Sequence, residues 1–380
     1  MMSSPTYLEI VLPPVGIPRY LMLTFLNATL SSEIKSLSLQ GDKAIIETKA
    51  VNVSEVLAQT IERAARRLEE YAKDRKVDIP LTGNEKKTFG TVQKSLSLPQ
   101  GSAFVEALKS YAQVLRRYNP QSLTAAFSSF GSGDFIPISI LKPDFYTLTR
   151  APFMKGKERF EIKLNIDYLM TLLAGYIFSR LGGTPYDIQK GKTEYHTVLL
   201  LPYDVGSIYS ELYTLWSPVK EKGTFSILPG LKPEEAVILW LSLILPRNTP
   251  DLFLLSIKDP VGSKPASIGV SYHLPISSFI TRSGEKLQKI KDNEKLKGYL
   301  KDLLRTALNP VKAEKLKIRE RAIEIVKLLF LALQEGNERE RDELLLRASR
   351  IETSLLLGGK KEDEYWIVYK GRRLAEATSL

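Results

Sequence analysis

The sequence predicts an α+β protein, with a mixed α/β body over residues 1–280 and a helical C-terminal region over residues 281–380. Three observations lead there. Up to about residue 280, short β-type runs bounded by Gly, Pro and Asp alternate with apolar residues at three- and four-residue steps. From Glu285 the chain turns to long charged helical patterns with little proline apart from Pro310. At 380 residues, 43% of them hydrophobic and 26% charged, it is long enough for about two domains and too apolar for wholesale disorder.

Taken in order, Tyr7–Leu12 reads as a strand stopped by Pro13-Pro14, and Ser36–Gln40 with Lys43–Thr48 as a hairpin turned at Gly41-Asp42. Over Ser54–Lys76 the residues Leu57, Ile61, Ala64, Leu68 and Tyr71 make one face of an amphipathic helix, and Arg63, Arg66, Arg67, Lys73, Arg75 and Lys76 line its other sides. The helix breaks near Pro80. Leu81–Lys94, polar and carrying Gly83 and Gly90, reads as a loop: a surface connector, or one in which Asn84 reads base edges, Lys86 and Lys87 hold phosphates and Phe89 offers a ring. A helix over Ser102–Tyr118 turns Phe104, Leu108, Tyr111 and Leu115 inward and ends at Arg116-Arg117, where cations also suit the helix dipole.

Ser128–Asp134 is a glycine–serine loop without the Gly-Lys-Ser/Thr of a nucleotide-binding P-loop. Lys155, Lys157 and Arg159 form a second basic turn before the strand-like Phe160–Leu164. Tyr168–Leu181 reads as a buried helix ending at Gly182-Gly183, and Thr197–Leu201 as a buried strand. Pro233-Glu234-Glu235 opens an apolar helix over Ala236–Leu245, followed by strands at Leu252–Ile257 and Ile268–His273. Helices near Gly284–Leu308, Val311–Gln334 and Glu338–Leu357 complete the pattern, with Tyr365–Lys370 as a short strand.

Charge narrows the function classes. Lys and Arg number 54 against 43 Asp and Glu, a net charge of +11, and Arg282–Arg321 alone holds thirteen basic and six acidic residues, +7 of that excess. Such an excess favours a polyanionic partner, of which phosphate backbones are the commonest. Charge by itself leaves DNA, RNA, a lipid surface and simple solubility open. The absence of cysteine excludes disulfides, thiolate metal sites and cysteine nucleophiles, and two histidines, His196 and His273, exclude a multi-histidine metal site. No signal peptide is recognised, and Tyr168–Leu181 and Ala236–Leu245 fall short of the roughly 20 residues that cross a bilayer. A cytoplasmic protein with no membrane partner is expected.

Catalysis is not expected either. A restriction-type nuclease needs Pro-Asp, a strand and Asp/Glu-x-Lys; Pro250-Asp251 precedes Ser256-Ile257-Lys258, where serine stands at the place of a metal-binding carboxylate. Asp134, Asp144 and Asp204 sit in isolated loops as turn residues. The chain reads as a binding protein with no enzyme activity, no cofactor and no metal.

The opening strand with Pro13-Pro14, the Asn27-Ala28-Thr29-Leu30-Ser31 stretch, the hairpin, the Arg-rich helix through Lys76 and the Asn84-Glu85-Lys86-Lys87-Thr88-Phe89-Gly90 segment together resemble a known family. It is the large subunit of the archaeal subtype I-A CRISPR interference (Cascade-type) complex, the Csa family, and the likeness extends over most of the chain. The resemblance implies a subunit without nuclease activity that works with crRNA, target DNA, backbone and small subunits and a separate helicase–nuclease. It would inspect the motif beside the target and help open the duplex, while base pairing reads the sequence. On that basis Asn84, Lys86 and Lys87 are assigned to the motif-bearing duplex, and Arg116, Arg117, Lys155 and Lys157 to phosphates. The alternatives are a stand-alone DNA- or RNA-binding protein and an unrecognised nucleic-acid enzyme.

Overall fold

The computed structural model describes residues 6–30, 33–49, 52–75, 79–143, 162–189, 192–215, 234–245, 248–308, 316–334, 338–357 and 362–377. The chain divides into two compact units, Met1–Lys222 with Phe253–Ser271, and Gly223–Leu252 with Tyr272–Leu380. The α+β class holds: small antiparallel sheets are combined with helices, and the C-terminal region is helical.

In the first unit β1 (Thr6–Val11), β2 (Ile34–Gln40) and β3 (Lys43–Thr48) form an antiparallel sheet in the order β1-β3-β2. The hairpin turns at Gly41-Asp42 as expected, with Gly41 at φ 62°, where a side chain would be strained. Along β3, Ala44, Ile46 and Thr48 are buried while the alternate residues face outward, and Lys43 meets Glu9 at 2.8 Å on that outer side. A further helix, α1 (Ile17–Thr29), has no counterpart among the elements expected from sequence. It is buried on nearly every face and so has no polar stripe to betray its period.

The long helix α2 (Val53–Arg75) matches the expected span to one residue at each end, with its apolar stripe fully inside. Its basic side departs from expectation. Arg66 is exposed, but Arg67 is buried, with its guanidinium 5.5 Å from the centre of the Phe178 ring and bonded to the Tyr213 carbonyl at 3.2 Å. Arg63 is half-buried and donates to the Ala28 carbonyl, so two of the arginines act as internal struts. Lys73, Arg75 and Lys76 lie outside the residues whose side chains are described.

Then come α3 (Gly83–Ser95), α4 (Phe104–Arg116), α5 (Pro120–Ala126) and α6 (Ile166–Ser179). Leu81–Lys94, expected as a loop, is therefore largely helical: Thr82 and Glu85 form a capping box, which satisfies free N–H groups of the first turn. The helix α6 ends before Gly182-Gly183, and those glycines belong to β4 (Arg180–Gln189), not to a helix terminus. β4, β5 (Lys192–Pro202), β6 (Leu252–Lys258) and β7 (Ser267–Leu274) make a second sheet in that order, and α7 (Ser207–Leu215) packs on α1. α1 and α6 touch backbone to backbone at Gly175, where a Cβ would lie 2.0 Å from the Leu21 carbonyl oxygen.

The second unit gathers α8 (Glu234–Ile244), α9 (Ile276–Asp292), α10 (Glu294–Leu308), α11 (Leu316–Leu333), α12 (Glu338–Leu357) and α13 (Glu362–Ala377). The apolar α8 packs on α9, α10 and α11, which explains its lack of a polar face. The single helix expected over Gly284–Leu308 is two, since Asn293 leaves helical geometry and its Oδ1 accepts from Lys295 N at 3.1 Å and Leu296 N at 3.2 Å. Tyr365–Lys370, expected as a strand, is the centre of α13. Packing on α10, α11 and α12 overrides the β propensity of Tyr, Trp, Ile and Val there. No helix among the described residues is long and apolar enough to cross a membrane.

Candidate nucleic-acid interface

The first candidate is the start of α3. Thr82 Oγ1 accepts from Glu85 N at 3.2 Å while Glu85 Oε2 accepts from Thr82 N at 2.8 Å. The other Glu85 oxygen accepts from Ser139 N at 2.5 Å, and Ser139 Oγ accepts from Ala266 N at 2.9 Å. A chain of hydrogen bonds thus turns the acid of the first turn inward and fixes the helix start to the segments behind it. Gly83, Asn84, Lys86 and Lys87 are left on the outer side, with Gly83, Asn84 and both lysines reachable by solvent. The positive end of the helix dipole and two ammonium groups then share one small surface, a suitable place for phosphate. Phe89 is not part of it: its ring stacks on Phe104 with centroids 4.0 Å apart.

Arg116 and Arg117 are not neighbours of that surface. Phe89 of α3 meets Phe104 at the start of α4, and the Leu96 carbonyl accepts from the Ser110 hydroxyl, so α3 runs beside the first half of α4. Arg116 stands at the far end of α4, about 18 Å along the helix from Phe104. Arg116 Nη1 and Nη2 hold the two Glu62 oxygens at 2.6 and 3.0 Å, and its Nε holds Glu55 at 3.1 Å. Hydrogen bonding to Glu62 and then Glu55 raises the guanidinium pKa still further, and Arg116 in turn lowers that of Glu62. The arginine clamps α4 to α2. Arg117, the C-cap of α4, is exposed. Lys155 and Lys157 lie outside the described residues.

The charged segment of the second unit is partly neutralised from within. Arg321 meets Glu324 at 2.7 Å and Glu364 at 3.6 Å, Arg319 Nε donates to the Ala307 carbonyl at 3.2 Å, and Lys286 reaches the Ala332 carbonyl at 3.2 Å. Lys295 and Lys317 are exposed. A feature that sequence reasoning overlooks is a group of rings on α10 and α13: Tyr299, Tyr365, Trp366 and Tyr369, accompanied by Lys295 and Arg373. Its signal is the spacing Tyr365, Trp366, Tyr369, Arg373, which falls on one face once the segment is helical.

Elements of the nuclease pattern serve other ends. Asp251 Oδ1 accepts from Ser277 N at 3.0 Å in the first turn of α9, and Ser256 is buried with its hydroxyl 3.3 Å from His196 Nδ1. Among the described residues, no group of three or more His, Asp or Glu is placed to hold a metal ion. A deeply held carboxyl is that of Asp167 at the start of α6, which accepts from the Tyr111 hydroxyl at 2.8 Å. Burial raises its pKa, opposed by the Tyr111 and Tyr118 hydroxyls, and the group joins α4 to α6 inside the core.

Comparison with known proteins supplies what the geometry lacks. The sequence profile of a family described as CRISPR-associated protein, CsaX, matches residues 45–351, from β3 into α12. No curated protein matches the chain.

Proposed function

The chain belongs to the CsaX family of CRISPR-associated proteins and has its role in a CRISPR system; on that premise we propose that it is a nucleic-acid-binding, non-catalytic large subunit of a crRNA-guided interference complex. In that role it contributes to recognition of the motif beside the target and to opening of the duplex. The observation that carries the proposal is the start of α3, where an inward-tied Glu85 leaves Asn84, Lys86 and Lys87 outward at the positive end of a helix. Asn84 is the residue suited to a base edge, and the two lysines to flanking phosphates. Arg117 is assigned to a separate phosphate contact at the end of α4. Arg116 supports the scaffold through its two glutamates, and Lys155 and Lys157 remain assigned to phosphates on their sequence context alone.

A double variant, Lys86→Ala with Lys87→Ala, tests this. Removing one phosphate-bound cation lowers the slope of log affinity against log salt by about 0.9 on duplex DNA, so removing both lowers it by about 1.8. The advantage of the unmodified chain over the variant then shrinks about twelvefold between 50 and 200 mM salt. An unchanged slope would remove the start of α3 from the interface. Asn84→Ala is expected to reduce discrimination among flanking motifs while leaving the slope alone.

A further inference from the structure

On the second unit, the residues of α13 divide into two sets. Val368, Leu374 and Ala375 are fully buried, Ile367 nearly so, and together they supply the helix with a complete inward face. Tyr365, Trp366 and Tyr369 lie outside that face, the two tyrosines half-buried and Trp366 46% exposed. An exposed indole set among the half-buried rings of Tyr299, Tyr365 and Tyr369 offers a binding surface.

The rings are already ordered against one another. Tyr365 and Tyr369 lie 6.2 Å apart with planes at 21°, Trp366 stands edge-on to Tyr369 at 5.5 Å, and Tyr299 reaches Tyr369 from α10 at 6.2 Å. Cations accompany them: Lys295 Nζ is 5.9 Å from the centre of Tyr299, and the Arg373 guanidinium is 5.3 Å from that of Tyr369. Of the acids whose side chains are described there, Asp302 meets Lys370 at 2.8 Å, Glu376 meets Arg373 at 3.1 Å and Glu294 meets Lys297 at 3.2 Å. Lys295 is exposed and adds positive charge beyond those pairs.

We propose that this face of α10 and α13 is a stacking platform for single-stranded nucleic acid, with the exposed Trp366 receiving a base, Tyr369 and its neighbouring rings backing it, and Lys295 and Arg373 facing the backbone. Ring faces receive only unstacked bases, so a paired duplex is not the ligand. Ammonium and guanidinium groups around the rings fit a phosphate chain better than the core of a protein contact, from which charge is depleted. The proposal extends the nucleic-acid role given above, but concerns a different unit and a different form of nucleic acid.

The test uses the full chain with labelled oligo-dT and oligo-rU of about 12 nucleotides, within the site size of known stacking surfaces, and a duplex as the third probe. Trp366→Ala is expected to weaken binding of a single strand by about 5- to 160-fold with little change in salt slope, since the variant gives up stacking on a base and keeps its cations. Trp366→Phe should retain most of the affinity, and Lys295→Gln should lower the slope by about 0.7. The tighter of oligo-dT and oligo-rU identifies DNA or RNA as the source of the strand. The inference is overturned if Trp366→Ala and Tyr369→Ala both bind single strands as the unmodified chain does, if the unmodified chain binds neither single strand, or if Trp366→Ala only releases a protein partner. If duplex binding keeps its dependence on Lys86 and Lys87 while the ring variants change nothing, this inference fails and the earlier one stands. If the ring variants weaken single-strand binding while the lysine variants leave duplex binding unchanged, the earlier one fails and this one stands.

Discussion

Arg116 and Arg117 are adjacent in sequence and should respond to replacement in opposite ways. Arg116 makes bonds to both Glu62 oxygens and to Glu55, and its side chain is 28% exposed. Arg116→Ala removes the cation between two carboxylates and leaves those acids without it on α2. For a multidentate but solvent-screened cluster the loss is about 1 kcal/mol, which in a unit of this size lowers Tm by about 2–4 °C. The pH dependence has a definite sign. Hydrogen bonding to Arg116 lowers the Glu62 pKa, so the stabilisation is present above the unfolded carboxyl value and is lost as pH falls through the lower folded value. The difference in Tm between the two proteins should therefore be full at neutral pH and disappear as pH falls below about 4. Far-UV circular dichroism melts at several pH values read this directly. The salt slope of DNA binding should be unchanged by Arg116→Ala and should fall by about 0.9 with Arg117→Ala. If Arg116→Ala lowers the slope and leaves Tm alone, the arginine serves phosphate and the clamp is refuted.

Gly175→Ala should be among the most damaging single-methyl changes in the chain, because its Cβ would meet the Leu21 backbone at 2.0 Å; α1 and α6 must part, at about 2–3 kcal/mol even after the gain in helix propensity. Gly298→Ala in α10, with nothing within 4 Å of the new carbon, should instead stabilise by about 0.5–1 kcal/mol, and thermal melts distinguish the two. Burial raises the Asp167 pKa, so stability falls as pH rises from the unfolded toward the folded carboxyl value; Asp167→Asn should match or exceed the unmodified Tm at pH 7 and lose any advantage under acid conditions. Tyr111→Phe removes a donor to that buried carboxyl and should cost about 1–3 kcal/mol by denaturant titration.

How far the sequence speaks for the structure varies with the element. The hairpin at Gly41-Asp42 and the helices α2 and α4 are legible because one face is buried and the other solvated, which imprints a period of two or of three to four. The apolar α1 leaves no such imprint. α3 escapes for the opposite reason: it buries little beyond Phe89, Gly90, Val92 and Gln93, although Thr82-x-x-Glu85 is a readable capping signal. The difference matters, since a helix start and a loop present Lys86 and Lys87 quite differently. In α13, Tyr365-Trp366-Ile367-Val368 has strand propensity, and only packing on its neighbours makes it helical and gathers the rings. Charge counting is the poorest guide to position. Arg67, Arg116 and Arg321 contribute to the net +11 yet are engaged with a ring, carbonyls or carboxylates of the fold. Of the resemblance read from the sequence, membership of a CRISPR-associated Csa family is matched by a profile over residues 45–351, while the opening strand, Pro13-Pro14 and the Asn27–Ser31 stretch lie before that range.

If this chain acts in a crRNA-guided complex by holding nucleic acid, as proposed, it should be recovered from cells with that complex. Purification of the tagged chain from its own cells, with sequencing of bound RNA and identification of bound proteins, tests it most directly. Repeat-derived crRNA is expected together with other interference subunits, and weaker recovery of target DNA with the Lys86→Ala, Lys87→Ala variant than with the unmodified chain. A chain recovered with neither RNA nor CRISPR proteins would contradict it.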